Sequence, residues 1–577
     1  MRPVNRLLLG LTIFAAALAP RVSTQDPFAV GGDRYPDRIL VKLVEDSHTL
    51  RDGKVRLAAR SKVFDRAVAV ERAITQPLAV LDAWFARCNA ALGVGDSRPG
   101  HLGLWFRLRA RDLGHAETLL AELAADPLIA TAYLEPIVHL AGKASNVVAD
   151  IPPPTPDLTS FQTYRGAAPT GFGVDATHAM LGARGEDVRF YHLEEDWFVR
   201  HEDLQSITNA SYVGAVTSQN SAGANHGTAV IGLVAATRNS YGMTGVADLA
   251  TVQLVSWGLA GGVGNAVALA IAHGRAGDVM AMIGGYNLRL TKPEDYVPME
   301  FFQLDFDAIR TATAMGFLVL EAAMNGDNDL DDPRFARRFD LSFRDSGAIM
   351  VAATDGPALT RASFSNFGSR IDTNGWGGEV ATIGYGDLFF VNRDSLQAYS
   401  RGYAGTSAAT ACLSGVVTTL ASTVARQRES ILTPGELRGL LRSHGTPIPG
   451  DIGRRPDLLA MLGSLGLPDG LTIDRFEVDL GGMATITMRG PVGGGFALAM
   501  SAARGDVDLG LGRRLHLDPS AILAVLSRDL PAGSDIYPLV VPVEPSLSGL
   551  ELYFQGVIVD PNGPTLRMSS SLGLHLR

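Results

Sequence analysis

The sequence is short of the residues that build disulfide frameworks, basic surfaces and multiple membrane spans. It has two cysteines, Cys88 and Cys412, in 577 residues. Two thiols cannot staple a small fold, so a disulfide scaffold is excluded. Lysine occurs only at Lys42, Lys54, Lys62, Lys143 and Lys292, and arginine supplies every other cation; we read this as coding bias, not as a guanidinium-based recognition device. Charged residues make up 19% of the chain and leave a net charge of −10, which argues against a nucleic-acid surface or a polybasic membrane contact. Beyond one apolar run near the N-terminus, no stretch reads as a further span. What is present is a 46% hydrophobic content, the mark of a globular chain. The length suits about three compact units.

The N-terminal run 7–18 follows Arg2 and Arg6. It is too short to cross a bilayer comfortably and reads as a secretory h-region, with cleavage expected near Thr24. The mature protein is therefore expected to be secreted, periplasmic or extracellular, with no membrane span. From 38 to 136 the pattern predicts strands at 38–45, 102–109 and 130–134, with helices at 77–92 and 113–125. Interleaved helices and strands point to a small ferredoxin-like α+β unit. Pro152, Pro153, Pro154 and Pro156 then read as an extended linker.

Between 186 and 463, apolar runs at 188–193, 250–257, 278–283, 317–323 and 348–354 alternate with helical runs. Such uniformly apolar strands fit a parallel sheet covered on both faces. From about 467 the strands 484–488, 496–501, 536–543 and 551–559 alternate or are β-branched, with Gly, Pro and Asp turns between them, which predicts an all-β sandwich. The division is thus 1–24 signal peptide, 25–145 α/β unit, 146–185 linker and lead-in, 186–465 parallel α/β unit and 466–577 β sandwich.

Three segments of the central unit carry chemistry. Gly405-Thr406-Ser407-Ala408 opens a long apolar helix, which leaves the Ser hydroxyl beside unpaired amides at a helix N-terminus. His226-Gly227-Thr228 opens a second apolar helix and sets an imidazole at its polar end. The strand 188–193 runs into Glu194-Glu195-Asp196 and is followed by His201-Glu202-Asp203-Leu204. Each motif alone is commonplace: a cap, a structural His, a solvated carboxylate cluster. In this order on one α/β unit they resemble the subtilisin-like serine peptidase family, the subtilases. The likeness extends to Asn239-Ser240-Tyr241-Gly242, to Ala362-Ser363-Phe364-Ser365-Asn366 and to Ala323-Met324-Asn325-Gly326, where Met324 stands in place of the usual Gly.

The resemblance implies a subtilisin-like three-layer domain with a mostly parallel sheet, acting on polypeptide substrates through an acyl-enzyme on Ser407. His226 would be the general base and Asn325 the oxyanion donor, and Gly284 and Gly285 would form the bare-backbone wall of the substrate cleft. The triad acid departs from the family's Asp. Counting back from His201 by the family spacing lands on Glu194, with Glu195 and Asp196 as alternatives. The N-terminal α/β unit resembles the family's inhibitor-type propeptide, an intramolecular inhibitor, with processing expected at 140–159. Asp327, Asn328, Asp329, Asp331 and Asp332 offer oxygen ligands, but their spacing matches no fixed calcium loop, so no metal or cofactor site is assigned. The competing reading is a weak or inactive relative that binds or adheres through its C-terminal β unit. A lipase or esterase is disfavoured, because no Gly-x-Ser-x-Gly surrounds Ser407.

Overall fold

The computed structural model describes residues 33–45, 62–92, 100–140, 155–219, 223–391, 394–468, 470–510, 513–561 and 566–577. The expected signal peptide and most of the expected processing region (141–154) lie outside the described residues.

The N-terminal unit comprises β1 (Arg34–Leu43), β2 (Ala69–Arg72), α1 (Leu78–Leu92), β3 (Trp105–Arg109), α2 (Leu113–Ala125), β4 (Ile129–Pro136) and β5 (Val138–Leu140). Its sheet has the order β2-β3-β1-β4 and is antiparallel throughout. One feature departs from the expectation: the short strand β2 is additional, while α1 lies, as expected, between the strands at 34–43 and 105–109. Asp112 caps α2 by accepting from the His115 amide, and α2 covers one face of the sheet with Leu119, Leu120 and Leu123 against Ile39, Val41 and Leu134. The opposite face, with Leu40, Trp105 and Tyr133, packs on the central unit, and so do Leu81, Trp84 and Cys88 of α1.

The central unit continues with β6 (Arg189–Glu194), α3 (Ala224–Ala235), β7 (Thr251–Ser256), α4 (Trp257–Ala260), α5 (Val263–His273), β8 (Val279–Met282), β9 (Gly284–Asn287), β10 (Tyr296–Pro298), α6 (Gln303–Ala314), β11 (Leu318–Ala322), β12 (Ile349–Thr354), β13 (Thr373–Trp376), β14 (Val380–Ile383), β15 (Tyr399–Tyr403), α7 (Thr406–Arg428), α8 (Pro434–Ser443), β16 (Thr446–Pro447), β17 (Arg454–Arg455) and α9 (Leu458–Ser464). Eight strands form one sheet in the order β16-β17-β13-β12-β11-β8-β6-β7. Every pair in it is parallel except β16 with β17.

All five apolar runs form strands of this sheet, and alternate residues explain why. Phe190, Val279, Leu318 and Val351 face α3 and α7, whereas Tyr191, Met280, Val319 and Met350 face α5 and α6. The result is three layers, with the central strands β6, β8, β11 and β12 covered on both faces. Helix α7 is long and apolar enough to cross a membrane, yet 94% of its apolar window is buried here as the core helix.

The segment from Thr155 to Gly185, expected as linker and lead-in, is part of this core. Tyr164, Phe172 and Val174 are fully buried. Arg165 donates to the Thr244 and Gly245 carbonyls, and Tyr164 Oη donates to the Ala381 carbonyl. A string of prolines suits extended chain, but the aromatic residues that follow it take the segment into the interior.

Beyond α9 the described residues hold no α-helix. The strands are β18 (Leu471–Ile473), β19 (Glu477–Val478), β20 (Met483–Arg489), β21 (Gly494–Ser501), β22 (Arg504–Gly510), β23 (Arg513–Leu517), β24 (Ile522–Leu530), β25 (Ser534–Val540), β26 (Glu551–Val559), β27 (Leu566–Met568) and β28 (Leu572–Leu576). A sheet β18-β20-β25 and a sheet β19-β28-β26-β21-β24 share one apolar layer, in which Ile486 and Met488 join Phe496, Phe554 and Ile558. The layer is continuous with the core of the central unit. Around it, Arg184 pairs with Asp248 at 2.5 Å and Glu551 at 2.9 Å, Arg238 with Glu477 at 3.0 Å, and Arg504 with Glu186 at 2.9 Å. Gly573 N–H donates to the Ala179 carbonyl and Leu181 N–H to the Ser571 carbonyl, so β28 is stitched to the lead-in.

Candidate active site

At the carboxyl end of β6, Glu194 is fully buried, and its Oε2 lies 2.5 Å from His226 Nδ1 at the start of α3. Its Oε1 accepts the Glu195 amide at 2.8 Å. Burial pushes the Glu194 carboxyl up, while the neighbouring His226 and the Glu195 amide pull it back. The other two candidates for the acid point elsewhere. Glu195 is exposed, and Asp196 Oδ1 accepts the Trp197 and Gln219 amides.

Two small residues bring helix and strand this close. A Cβ at Gly227 would lie 2.2 Å from the Asp196 carbonyl and 2.9 Å from Glu194 Cγ, so only glycine lets α3 approach Glu194 this closely. Thr228 Oγ1 accepts the Phe198 amide and donates to the Ala224 carbonyl, which clamps the helix start to the loop after the acid. The His-Gly-Thr triplet is thus a packing device as well as a signature.

Ser407 is the second residue of α7, after Gly405 at φ 109°. It is fully buried, and neither its Oγ nor His226 Nε2 makes a hydrogen bond. Such contacts are often long in a ligand-free site and tighten on binding. Ser407 does not cap its own helix, and its hydroxyl faces the Tyr403 phenol.

Asn325 follows β11, and its Oδ1 accepts both the amide and the hydroxyl of Thr406, at 2.9 and 3.0 Å. That contact turns the Nδ2 end away from Thr406 and ties the segment to the start of α7. Asn366 holds the same segment in place. Its Oδ1 accepts the Gly326 and Asn328 amides, and its Nδ2 donates to the Ala323 and Tyr296 carbonyls at 2.6 and 2.8 Å. Met324 is held at φ +75°, the left-handed region where glycine is favoured, and its side chain is buried. The Asn239 segment meets the His201 segment at Asp203, which accepts Asn239 Nδ2 and the Met243 amide.

Gly284 and Gly285 open β9, which lies between β10 and β5. The β5 register sets His139 opposite Gly285 and Leu140 opposite Gly284. A Cβ on Gly285 would sit 2.3 Å from the Val297 carbonyl and 2.7 Å from Met324 Cγ. The acidic loop engages protein groups: Asp331 takes the Ser369 amide and hydroxyl, Asp327 pairs with Arg361 and Asp332 caps a short turn. Cys88 and Cys412 are buried, and burial pushes their thiols up to about 11 and about 12, far from reactive thiolates.

Sequence reasoning missed the surroundings of the pair. Tyr403 packs edge-on against His226, with ring centroids 5.9 Å apart, and stacks on Tyr385. Burial holds both phenols up, with Glu194 adding to the effect. His192, one strand pleat before Glu194, accepts Trp197 Nε1 at 2.9 Å. A polar residue inside an otherwise apolar strand was the one available signal for it.

The family model described as the subtilase family matches residues 155–450. An extracellular protease of Xanthomonas campestris pv. campestris is 27% identical over 482 residues, covering 76% of this chain and 75% of that protein. Subtilisin Savinase of Lederbergia lenta is 33% identical over 174 residues, covering 30% of this chain and 57% of that protein. Among solved structures, a lanthipeptide protease aligns at 17% identity with a TM-score of 0.41, over 53% of this chain and 95% of that one. With the family match spanning more than half its length, this chain belongs to the subtilase family of serine-type peptidases.

Proposed function

We propose that the chain is a secreted serine endopeptidase made as a zymogen, with Ser407 as nucleophile, His226 as general base and Glu194 as orienting acid. Ser407 Oγ attacks a peptide carbonyl while His226 Nε2 takes its proton and later gives it to the leaving amine. Water then hydrolyses the acyl-enzyme by the same route in reverse. Glu194 keeps the proton of His226 on Nδ1 and balances the imidazolium as it forms. The Asn325 amide and the Ser407 backbone N–H donate to the oxyanion. The observation that carries this reading is the 2.5 Å contact between His226 Nδ1 and buried Glu194, with Ser407 at the adjoining helix start.

The α/β unit ending near 140 acts in this reading as an intramolecular inhibitor. Its support is β5, which pairs along β9 at Gly284 and Gly285, the wall where a substrate strand would lie. Lys42 and Trp105 also both reach Asp307 of α6, at 2.9 and 3.1 Å. The peptidase unit then begins near Thr155, and the β unit from about 466 serves as its buttress. Secretion rests on the 7–18 run and on the extracellular relative.

The test is covalent labelling by a fluorophosphonate probe after removal of residues 1–145. Labelling is expected in the wild type, absent in Ser407→Ala and sharply reduced in His226→Ala and Glu194→Ala, with Asp196→Ala retaining it. A processed, folded protein that never labels, from neutral to alkaline pH, overturns the reading in favour of an inactive binding relative. Loss in Asp196→Ala with retention in Glu194→Ala moves the acid to Asp196.

A further inference from the structure

His192 occupies an inward position of β6, and its side chain is fully buried. An imidazole is costly there unless its polar atoms find partners. Nδ1 has one, the Trp197 indole N–H at 2.9 Å. An indole N–H can only donate, so Nδ1 is bare and the single ring hydrogen sits on Nε2. Charging the ring would set two N–H groups against each other. Burial and the neighbouring His226 also hold it well below the usual imidazole range. Nε2 makes no hydrogen bond and lies 4.0 Å from Glu194 Oε2, the oxygen that His226 Nδ1 engages. The groups around the pair are Phe190, stacked on His192, Trp197 from the following loop, His226 from α3, Tyr385 and Tyr403 near the carboxylate, and Glu195, whose charge pushes the Glu194 carboxyl up.

We infer that His192 is a positioning residue: a neutral imidazole, locked in one tautomer by Trp197, whose Nε2–H favours the charged form of Glu194 and fixes which oxygen faces His226. The inference rests on the proposed roles of Glu194 and His226. A Glu acid has one more rotatable bond than an Asp, and it needs that much more restraint to present a single oxygen. The Glu195 amide holds Oε1, and His192 supplies a fixed dipole on the Oε2 side.

The experiment uses the full chain, processed as above, with His192→Phe, His192→Asn and His192→Gln. Phe keeps a ring without any N–H. Asn can accept from Trp197 but does not reach Glu194, whereas Gln carries an N–H to the level of Nε2. Expected for Phe and Asn is a fall in kcat of about 3- to 10-fold with KM unchanged, the scale of losing one oriented dipole 4.0 Å from a buried charge. The acidic limb of the kcat/KM profile moves to higher pH by about half to one unit, because the unsupported carboxylate holds the proton of the Glu194–His226 pair more tightly. Gln restores both. A common profile in all three variants, with changes only in melting temperature, overturns the inference and leaves His192 a packing residue. Should His192→Phe fail to fold, the contrast between Asn and Gln decides. Full activity in Glu194→Ala instead overturns the site assignment beneath it.

Discussion

At the scale of single residues, the proposed chemistry is tested most directly at Asn325 and at Glu194, the proposed acid. Asn325→Ala removes a proposed oxyanion donor, and kcat is expected to fall about 10²–10³-fold, or ~2.7–4 kcal/mol, with KM little changed in steady-state kinetics. Glu194→Asp restores the family's usual acid but shortens it. The stem of Glu194 runs beside Gly227, so the shorter carboxylate is withdrawn from His226 Nδ1. Activity is expected to drop about 10²-fold, the order associated with ångström misplacement, and measurement of kcat/KM beside the wild type checks it. Counting back from His201 by the family spacing reaches Glu194, whose carboxylate the structure sets against His226 Nδ1. His192 and Tyr403 were not readable as neighbours of the site. Their roles come from packing between β6, the loop after it, β15 and α3, and no local pattern records that.

At the scale of elements, the strands buried on both faces were the most readable part of the chain, since a short run that is apolar at every position must be covered on both sides. The short strands β13 and β17 were not, because they carry Thr373, Asn374 and Arg455 in the interior. Those polar groups are held by contacts from far along the chain, such as Asn374 Nδ2 to the Ile452 carbonyl. Helix α1 was placed correctly, but its docking on α6 instead of its own sheet depends on a partner that periodicity cannot name. The wall strand β9 offers the sharpest element-level test. Gly285→Ala drives a methyl group into the Val297 carbonyl and Met324. Overpacking of this kind costs about 1–3 kcal/mol and pushes on the residue next to Asn325, so a lower urea midpoint and a lower kcat are expected together.

At the scale of the whole molecule, the join between the N-terminal unit and α6 carries a buried acid. Burial, with the nearby Glu135 charge, pushes the Asp305 carboxyl up to about 7, although it accepts the Tyr286 hydroxyl. A carboxyl raised above its unfolded value contributes stability that is full below about pH 4 and lost as pH rises through about 7. Asp305→Asn keeps an acceptor for Tyr286 and removes the titration. The variant is expected to match the wild type near pH 4 and to exceed it at pH 8 by on the order of a few kcal/mol, read from denaturant midpoints at the two pH values. A variant equally stable relative to wild type at both would refute it. The change to strands without α-helix after about 466 was legible from turn spacing, whereas the reach of the lead-in into the central core was not.

The stitching of β28 to residues 179–181 also has a consequence for biogenesis. The lead-in packs on α7, where Ser422 Oγ donates to the Glu186 carbonyl, and Gln427 of α7 exchanges hydrogen bonds with Ser571. Chain growth delivers residues 571–576 long after Ser407 has left the ribosome. A chain that lacks residues 571–576 therefore loses the hydrogen bonds that hold the C-terminal half of α7, at Gln427, to the β unit.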